Sequence, residues 1–341
     1  MKNFFKKHWL PCLILLVVTL VIAKEFFNTD KIKKAITEVK AAPDYWVAPS
    51  LLSEKVLDDS QRHLIEYGQS LIANTSKFLG PGGSLGHTTN GMNCQNCHLD
   101  AGTRPWGNNY SAVAATYPKF RERSGTVESI PKRVNDCFER SLNGQALPVE
   151  GREMKAIVAY MQWLGKGVPK GKKPNGVGIT DVAYLDRAAD SLKGRIVYGG
   201  KFQSCHGADG EGIANLQGAG YTYPPLWGKH SYNTGAGLYR LSRFAGYVKE
   251  NMPYNQATHN NPVLTDDEAW DIAAFVNSQP RPVANVLSDW PKVSAKPIDY
   301  PYGPYADGFS ETQHKYGPFK PIVEKRKQLS ANPAGNSVAG K

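Results

Sequence analysis

Cys94, Cys97 and His98, in the stretch "CQNCH", have the types and the spacing of a covalent haem site. Two thiols can bond the two vinyl groups of a haem, and the adjacent histidine can bind its iron. A CxxC pair also occurs in redox disulfides and as half of a zinc site. The attached histidine, the helix expected before it and the absence of a second CxxC favour a c-type haem with His98 as proximal ligand.

A second CH pair, Cys205–His206, lies in "KFQSCHGADGEG" at 201–212, but Phe202 occupies the position of the first thiol. If this segment no longer bound a haem, the other residues that serve only to bind one should have been lost as well. The Gly-rich turn, the segment "YPPLWG" and the pair Met252–Pro253 all follow at usable spacing. We therefore expect a second c-type haem, attached through the single thioether of Cys205 and bound by His206.

Few residues can bind the far side of the first iron. Between His98 and the Gly- and Lys-rich segment 165–178 there is no further histidine, and the sulfurs are those of Cys137, Met154 and Met161. Both methionines lie on the apolar face of a predicted helix, where methionine usually fills the core. Cys137 is therefore the expected ligand.

Cys137 lies in a helix predicted from Ser129 as N-cap to Asn143-Gly144 at the end. Residues four apart on a helix share a face, and those three apart adjoin it. The neighbours of Cys137 by this rule are Arg133, Ser141 and Arg140. Two arginines beside a thiol favour the thiolate, which binds iron or attacks sulfur. A buried inert thiol is the alternative, and His87 is the rival ligand.

The second haem has its own candidate, because Met252 is the only methionine after His206 and is followed by proline. A Met-Pro pair between the haem motif and the closing helix is where small class I cytochromes c carry their thioether ligand. Lys249 is an alternative. The remaining downstream histidines are expected to be surface or capping residues: His230, His259 and His314.

Two segments of the chain repeat one plan. Each begins with a helix that carries a Tyr-Gly pair, at 67–68 and at 198–199, and each ends with a helix, at 153–165 and at 268–280. The period of roughly 110 residues fits two tandem domains better than a solenoid. We predict a mostly α fold with two tandem class I cytochrome c-like domains and a long irregular C-terminal arm.

The predicted segments follow from this plan and from the Gly- and Pro-rich composition between the repeats. They are a signal peptide or N-terminal membrane anchor (1–23), a linker (24–48), a catalytic cytochrome domain (49–165), a linker (166–183), an electron-transfer cytochrome domain (184–285) and an extended arm with a disordered end (286–341).

The N-terminus has the layout of an export signal. Lys2, Lys6 and Lys7 precede fifteen uncharged residues at 9–23, with Val21 and Ala23 at the −3 and −1 positions of a possible cleavage site. A span normally needs about 20 apolar residues, but an uncleaved anchor stays an alternative. Either outcome places the rest of the chain in the periplasm, secreted or tethered.

The formal net charge is +11 at pH 7. A basic chain can bind nucleic acid, acidic lipid or a small anion. Export and the scattered positions of the lysines and arginines argue against nucleic acid, which leaves an anionic substrate or evenly solvated surface charge.

The chain after the signal resembles the dihaem thiosulfate dehydrogenases, some of which also reduce tetrathionate. The motifs that carry the likeness are "CQNCHLDAGTRP", "RVNDCFERSLNG", "REMKAIVAYMQWL", "CHGADGEG", "YPPLWG", "NMPYN", "DYPYGPYADGF" and "QHKYGPF". The resemblance implies that His98 and Cys137 bind the catalytic iron and that His206 and Met252 bind the electron-transfer iron. Asn251, where some members have lysine, makes lysine ligation less expected, and Phe202 departs from the family pattern.

The resemblance also implies a reaction, in which two thiosulfate ions join to form tetrathionate and release two electrons. A thiolate ligand should lower the potential of the first haem and methionine should raise that of the second, so that electrons pass on to a soluble cytochrome c or a similar carrier. The expected catalytic residues are Cys137, Arg133, Arg140 and Ser141, with Arg104, Arg121 and Arg123 as further sources of positive charge. A transient bond between Cys137 and a thiosulfate sulfur is implied as well.

Three alternatives stay open at this point. The first is a dihaem electron carrier without substrate chemistry. The second is a mono-haem protein in which Cys137 and Cys205 form a disulfide. The third is a dihaem peroxidase, which shares only the CH motifs.

Overall fold

The computed structural model describes residues 15–21, 23–24, 43–51, 58–216 and 218–331, and it separates into the units Met1–Asp44 and Tyr45–Lys341. In the first unit, residues 15–21 and 23–24 are helical. No helix among the described residues is long and apolar enough to cross a membrane. The remainder of the predicted signal or anchor, most of the linker at 24–48 and the end of the arm lie outside the described residues.

The second unit is mainly helical, as predicted. Its α-helices are α1 (Asp59–Ala73), α2 (Thr75–Leu79), α3 (Leu99–Gly102), α4 (Val113–Thr116), α5 (Ile130–Arg140), α6 (Arg152–Leu164), α7 (Ser191–Lys201), α8 (Gln203–His206), α9 (Leu241–Asn251), α10 (Asp266–Ser278), α11 (Glu311–Tyr316) and α12 (Lys320–Ala331). Single 3₁₀ turns occur at Cys94–Asn96, Gly237–Tyr239 and Val293–Ala295. Strand β1 (Lys119–Arg121) pairs antiparallel with β2 (Thr126–Glu128), and β3 (Ile213–Ala214) pairs antiparallel with β4 (Tyr221–Tyr223).

The first cytochrome domain is built on the crossing of α1 and α6. Asp58 caps α1 by accepting a hydrogen bond from the backbone N–H of Gln61 at 2.7 Å. At the crossing, a Cβ on Gly68 would lie 2.0 Å from the carbonyl oxygen of Ala156, so only glycine allows the two backbones to approach this closely. The crossing brings the ends of the domain together around one apolar core.

The second cytochrome domain repeats this crossing with α7 and α10. Here a Cβ on Gly194 would lie 1.9 Å from the carbonyl oxygen of Asp271. Helix α10 begins with a capping box between Thr265 and Glu268, and α9 packs against it. The two domains thus share one helical scaffold, as the repeat predicts.

The register of the repeat differs from the one that the Tyr-Gly pairs suggest. Gly199 does not lie at the crossing, because a Cβ there would meet only the side-chain oxygen of Gln203, 3.8 Å away. The structural counterpart of Gly68 is Gly194, five residues earlier. A shared dipeptide is a weaker guide than the backbone contact that requires a glycine.

The C-terminal arm is irregular only over its first half. Residues 279–310 contain one 3₁₀ turn, but α11 and α12 follow, so the prediction of an arm without periodic structure does not hold for 311–331. Ser310 caps α11 by accepting from the backbone N–H of Gln313. Ile322 of α12 is fully buried in the core of the second domain, together with Phe319. Burial of these two side chains holds the arm helices in place.

The two cytochrome domains contact each other directly. The side-chain amide of Asn233 donates to the carbonyl oxygen of Glu139 at 2.8 Å, and the Tyr247 hydroxyl donates to the carbonyl oxygen of Asn96 at 2.8 Å. The first contact reaches helix α5 and the second reaches the 3₁₀ turn that carries Cys94. These contacts bring the second domain close to both predicted parts of the first haem site.

Candidate active site

A cavity of about 190 Å³ in the first domain brings together the residues that the sequence assigns to the first haem. Cys94 and Cys97 lie on one side, on the turn after α2, and His98 follows them. Cys137 lines the same cavity from α5. Four side chains predicted from two separate motifs therefore meet in one place.

The chemistry of these donors fits a c-type haem. His98 donates its Nδ1–H to the carbonyl oxygen of Asn108 at 2.5 Å, which leaves Nε2 with a lone pair for a metal. Burial lowers the pKa of His98 to about 4, so its ring is neutral at pH 7. Burial also raises the pKa of the Cys94 and Cys97 thiols to about 12, which suits the uncharged sulfur of a thioether.

Helix α5 presents Cys137 as the sequence predicts. It begins after Ser129, whose hydroxyl accepts from the backbone N–H of Lys132 at 3.4 Å, and Ser141 caps its C-terminus. Arg133, Cys137 and Ser141 share one face and all line the cavity. The electrostatic interaction with Cys137 is the main cause that raises the pKa of Arg133 above its usual value.

A second cavity, of about 360 Å³, adjoins the first and is rich in arginine. The two cavities share six lining residues, which are Cys97, His98, Asn108, Arg133, Cys137 and Ser141. The arginines around the second cavity, called here the arginine cavity, are Arg121, Arg123, Arg133, Arg240 and Arg243. Cys137 thus stands at the boundary between the mainly apolar first cavity and a site suited to anions.

The β1–β2 hairpin supplies two of these arginines. Arg121 lies 3.8 Å from the buried carboxylate of Glu128, and Arg123 lies 3.5 Å from Asp289 and donates to the carbonyl oxygen of Gly235 at 3.1 Å. Arg133 differs, because among the described residues it has no carboxylate within ion-pairing distance. Its charge is the one most available to a bound anion.

A third cavity, of about 420 Å³, is lined mainly by residues of the second domain and also by five residues of the segment 93–100 in the first. Phe202, Cys205, His206 and Met252 line it together, as predicted from the sequence. His206 donates its Nδ1–H to the carbonyl oxygen of Pro224 at 2.8 Å, which again leaves Nε2 free, and burial lowers its pKa. The Phe202 side chain is only 2% exposed and packs into the core of the domain. An imidazole, a thioether sulfur and one thiol facing one cavity fit a haem that is attached once.

Comparisons with known proteins agree with this arrangement. The family described as SoxA/TsdA cytochrome c domain matches residues 86–169, and the cytochrome c family matches residues 193–280. A thiosulfate dehydrogenase of Allochromatium vinosum is 39% identical over 240 residues, which cover 69% of this chain and 83% of that protein. A second one, of Stutzerimonas stutzeri, is 35% identical over 219 residues, 64% of this chain and 68% of that protein.

The chain belongs to the thiosulfate dehydrogenase family.

A solved structure supports the same family. It is a thiosulfate dehydrogenase (TsdBA) of Marichromatium purpuratum in its as-isolated form, with a TM-score of 0.63 and 30% identity. The match covers 71% of this chain, which spans half the length of that solved chain. The two tandem cytochrome c domains imply that this family member binds c-type haem.

The structure separates the remaining sequence candidates of this family member into those at the site and those elsewhere. Arg140 pairs with Asp289 through two hydrogen bonds of 2.7 and 2.9 Å and does not line either cavity beside Cys137. Arg104 pairs with Asp100 at 2.7 Å and stacks on Tyr254, also away from the arginine cavity. Helix geometry predicts Arg140 near Cys137, but its guanidinium bonds to the carboxylate of Asp289 in the arm instead.

The two alternative ligands, His87 for the first iron and Lys249 for the second, do not line the haem cavities. The ring of His87 contacts the carbonyl oxygen of Gly80, and Lys249 pairs with Asp266. His230 lines neither haem cavity. His259 stacks on Trp106.

His314 is fully buried, so the first of the two roles predicted for it, a surface or a capping residue, is wrong. One ring nitrogen donates to the carbonyl oxygen of Ile298 at 2.6 Å, and the other contacts Asp307 at 2.9 Å. Of the two methionines, Met154 is buried in the first core, whereas Met161 lines the first haem cavity.

The described cysteines contain no disulfide: Cys94, Cys97, Cys137 and Cys205 are all free thiols. Cys137 and Cys205 line different cavities, in different domains. The structure therefore does not contain the Cys137–Cys205 bond of the mono-haem alternative.

Sequence reasoning missed many residues of the arginine cavity, among them two arginines and two aromatic residues. Arg240 and Arg243 reach it from the beginning of α9, and Trp290 and Tyr300 reach it from the arm. The Tyr300 hydroxyl also contacts the Arg123 guanidinium. These residues are more than a hundred positions from Cys137, and no spacing rule connects them to it.

Proposed function

We propose that this chain oxidises two thiosulfate ions to tetrathionate, and catalyses the reverse reduction, with the sulfur chemistry at Cys137. The observation that carries the proposal is the position of Cys137 at the boundary between the first haem cavity and the arginine cavity. The relatives named thiosulfate dehydrogenase support the substrate. A soft sulfur nucleophile beside an anion site and a redox site is the combination that this reaction needs.

We assign the haem ligands from the two donor sets. Cys94 and Cys97 attach the first haem, and His98 and Cys137 bind its iron. Cys205 attaches the second haem through one thioether, and His206 and Met252 bind its iron. When bound, each haem accepts one electron, so the pair holds the two electrons of one turnover.

The arginines offset the repulsion between substrates. Two dianions must approach within bonding distance, and even two unit charges of the same sign at about 4 Å repel by about 4 kcal/mol at the effective dielectric near a protein surface. Arg133 adjoins Cys137 on α5, and Arg121 and Arg123 face it from the hairpin. The Ser141 hydroxyl, one turn after Cys137, is placed to donate a hydrogen bond to a sulfonate oxygen.

Cys137 itself forms and breaks the sulfur bonds. Its thiolate joins the terminal sulfur of one thiosulfate, and two electrons leave to the acceptors. The terminal sulfur of a second thiosulfate then attacks the sulfur that Cys137 holds, so that tetrathionate departs and the thiolate returns. Charge balances in each step without a proton.

We propose a periplasmic location and a soluble cytochrome c or similar carrier as electron partner. The lysines and the apolar run at the N-terminus, with the layout of an export signal or anchor, support the location. The thiolate and thioether ligands support the direction of electron flow, from the first haem to the second, because thiolate lowers and methionine raises a haem potential.

The test is a steady-state assay of the haem-loaded protein with thiosulfate and with tetrathionate, for the natural chain and for Cys137→Ala. We expect Cys137→Ala to lose both activities by at least about a thousandfold, because the nucleophile is removed. Haem content and reduction by dithionite serve as controls for folding and loading. Unchanged turnover in Cys137→Ala would show that the sulfur chemistry does not take place at Cys137. A haem-loaded natural chain that converts neither anion would instead indicate an electron carrier without substrate chemistry.

A further inference from the structure

The arginine cavity has two walls that belong to different domains. Arg121, Arg123 and Arg133 form the wall of the first domain, next to Cys137. Arg240 and Arg243 line the cavity from the second domain, at the beginning of α9. The cavity is therefore lined by arginines of both domains.

The Arg240 guanidinium is held in one orientation by a buried carboxylate. Its Nε and Nη2 both donate to Oδ1 of Asp299, at 2.9 and 2.5 Å. The other oxygen of Asp299 accepts from the backbone N–H and the hydroxyl of Ser242, at 3.0 and 2.5 Å. These contacts leave Nη1 of Arg240 unused, and a fixed guanidinium loses little entropy when it binds an anion.

Arg243 makes only a weak ion pair. Its side chain is 36% exposed and lies 3.3 Å from the carboxylate of Asp181, which is 83% exposed. Exposed pairs of this kind contribute little because water screens them. A bound dianion inside the cavity can therefore compete with Asp181 for this guanidinium.

The substrate of the proposed function has a matching pattern of charge. Tetrathionate carries one sulfonate at each end, and each thiosulfate brings one of them. When the reacting sulfur lies at Cys137, one sulfonate lies beside Arg133 and Ser141. The other must lie farther from Cys137, where water or a second group of cations has to stabilise it.

We propose that Arg240 and Arg243 bind the outer sulfonate, so that the substrate spans both domains. The inference rests on the proposed function for the identity of the substrate, and on the cavity alone for the binding of an anion with two charged ends. It assigns specificity for the second thiosulfate to the second domain, whose other role is electron transfer.

The test measures binding of two unreactive anions to the haem-loaded protein by calorimetry. Ethane-1,2-disulfonate has two charged ends, as tetrathionate has, and sulfate has one charged centre. The natural chain should bind the disulfonate more tightly than sulfate. In Arg243→Gln we expect the disulfonate affinity to fall about tenfold, since one charge-assisted contact is lost, and the sulfate affinity to change less than about twofold.

Two controls keep the result interpretable. Arg195→Gln removes the same charge from an exposed position on α7 that does not line the cavity, and its affinities should be those of the natural chain. Arg240→Lys keeps the charge near Asp299 while it changes the donor geometry, and it should also weaken the disulfonate selectively. Equal losses for both anions, or unchanged disulfonate binding in Arg243→Gln, would overturn the inference.

Turnover separates this inference from the proposed function. If the natural chain does not convert thiosulfate but binds the disulfonate through Arg243, the proposed reaction fails and the two-walled anion site stands. If turnover is normal and Arg243→Gln leaves both the KM for thiosulfate and the disulfonate affinity unchanged, the reaction stands and the second-domain wall is excluded. An increase in the KM of Arg243→Gln for thiosulfate, with little change in kcat, supports both the proposed reaction and the binding of substrate by the second domain.

Discussion

The two cytochrome domains cross their first and last helices in the same way but surround their cavities with different side chains. Glycine at the crossing, Gly68 in one domain and Gly194 in the other, allows the same close approach of backbones. In the first domain the haem cavity continues into a cavity lined by five arginines, with Cys137 between them. In the second, Phe202, Met252 and tyrosines are among the lining residues of the haem cavity, and no arginine lines it.

This difference indicates how one scaffold serves two tasks. The proposed catalytic domain opens its haem cavity toward an anion site, and the ligand at the opening is a sulfur that can react. The proposed electron-transfer domain instead lines its cavity with the thioether of Met252, which does not form bonds with substrate sulfur. The arm then adds Asp289 and Tyr300 to the first site, whereas no residue of the arm lines the cavity of the second domain.

The largest expected effect is on stability, and it concerns the helix crossing that the two domains share. Gly194→Ala places a Cβ 1.9 Å from the carbonyl oxygen of Asp271, so α7 must move away from α10. We expect a loss of about 3 kcal/mol in the free energy of unfolding, or failure to fold. Urea unfolding of the haem-loaded protein measures it.

Gly199→Ala is the matched control on the same helix, because a Cβ there meets only Gln203, 3.8 Å away. It should leave stability unchanged or raise it slightly, since alanine favours helix. Equal losses for the two variants would contradict the assignment of Gly194, and not Gly199, to the crossing.

The anion site of the first domain gives the next largest effect. In Arg133→Gln we expect kcat/KM for thiosulfate to fall about a hundredfold, because the unpaired charge beside Cys137 is lost. The adjacent Lys132 is 52% exposed and pairs with Asp136, so Lys132→Gln removes the same charge outside the cavity. If Lys132→Gln lowers kcat/KM as much, the effect is one of overall charge and not of the site.

The ion pairs between the arm and the first domain give a smaller expected effect. Asp289 holds Arg140 and Arg123, and Asp289→Asn should loosen Arg123 at the cavity. We expect the KM for thiosulfate to rise about tenfold with a smaller change in kcat, because the substrate is positioned less well. Asp186→Asn, which removes a carboxylate that is 91% exposed and pairs with Lys320, is the control and should leave KM unchanged.

The smallest effect on activity is expected at the second haem. Phe202→Cys places a thiol at the position where the first domain has Cys94, and it should add a fourth thioether bond to the three that we propose for the natural chain. The pyridine haemochrome spectrum and the intact mass after denaturation report the bonds. We expect activity within about twofold of the natural chain, because the sulfur chemistry takes place in the other domain.

A variant without Cys205 tests whether this residue attaches the second haem. Cys205→Ala should release the second haem on denaturation while the first stays attached. A second haem that remains covalent in Cys205→Ala would exclude the single attachment through this residue.

Much of the site could be predicted because its parts are close in sequence. The pair Cys97–His98 is fixed by adjacency, and Cys137 shares a face with Arg133 and Ser141 because a helix repeats every 3.6 residues. Met252 followed from counting sulfurs after His206. Local geometry of this kind is set by the backbone and does not depend on the rest of the fold.

Arg140 shows where such reasoning fails. Helix spacing places it beside Cys137, yet its guanidinium bonds to Asp289, almost 150 positions away. A side chain as long as that of arginine can pair with a buried carboxylate on a distant segment. The sequence does not reveal which carboxylate that is.

The sequence by itself determined the two haem motifs, the two-domain plan and the helix that carries Cys137, because each depends on residues within a few turns of one another. Only the tertiary structure decided which charges meet the thiol. Arg240 and Arg243 reach the cavity through the packing of the second domain on the first, and Trp290 and Tyr300 reach it through the arm. Contacts between segments so far apart depend on how complete domains pack, and the spacing of residues along the chain carries no record of that packing.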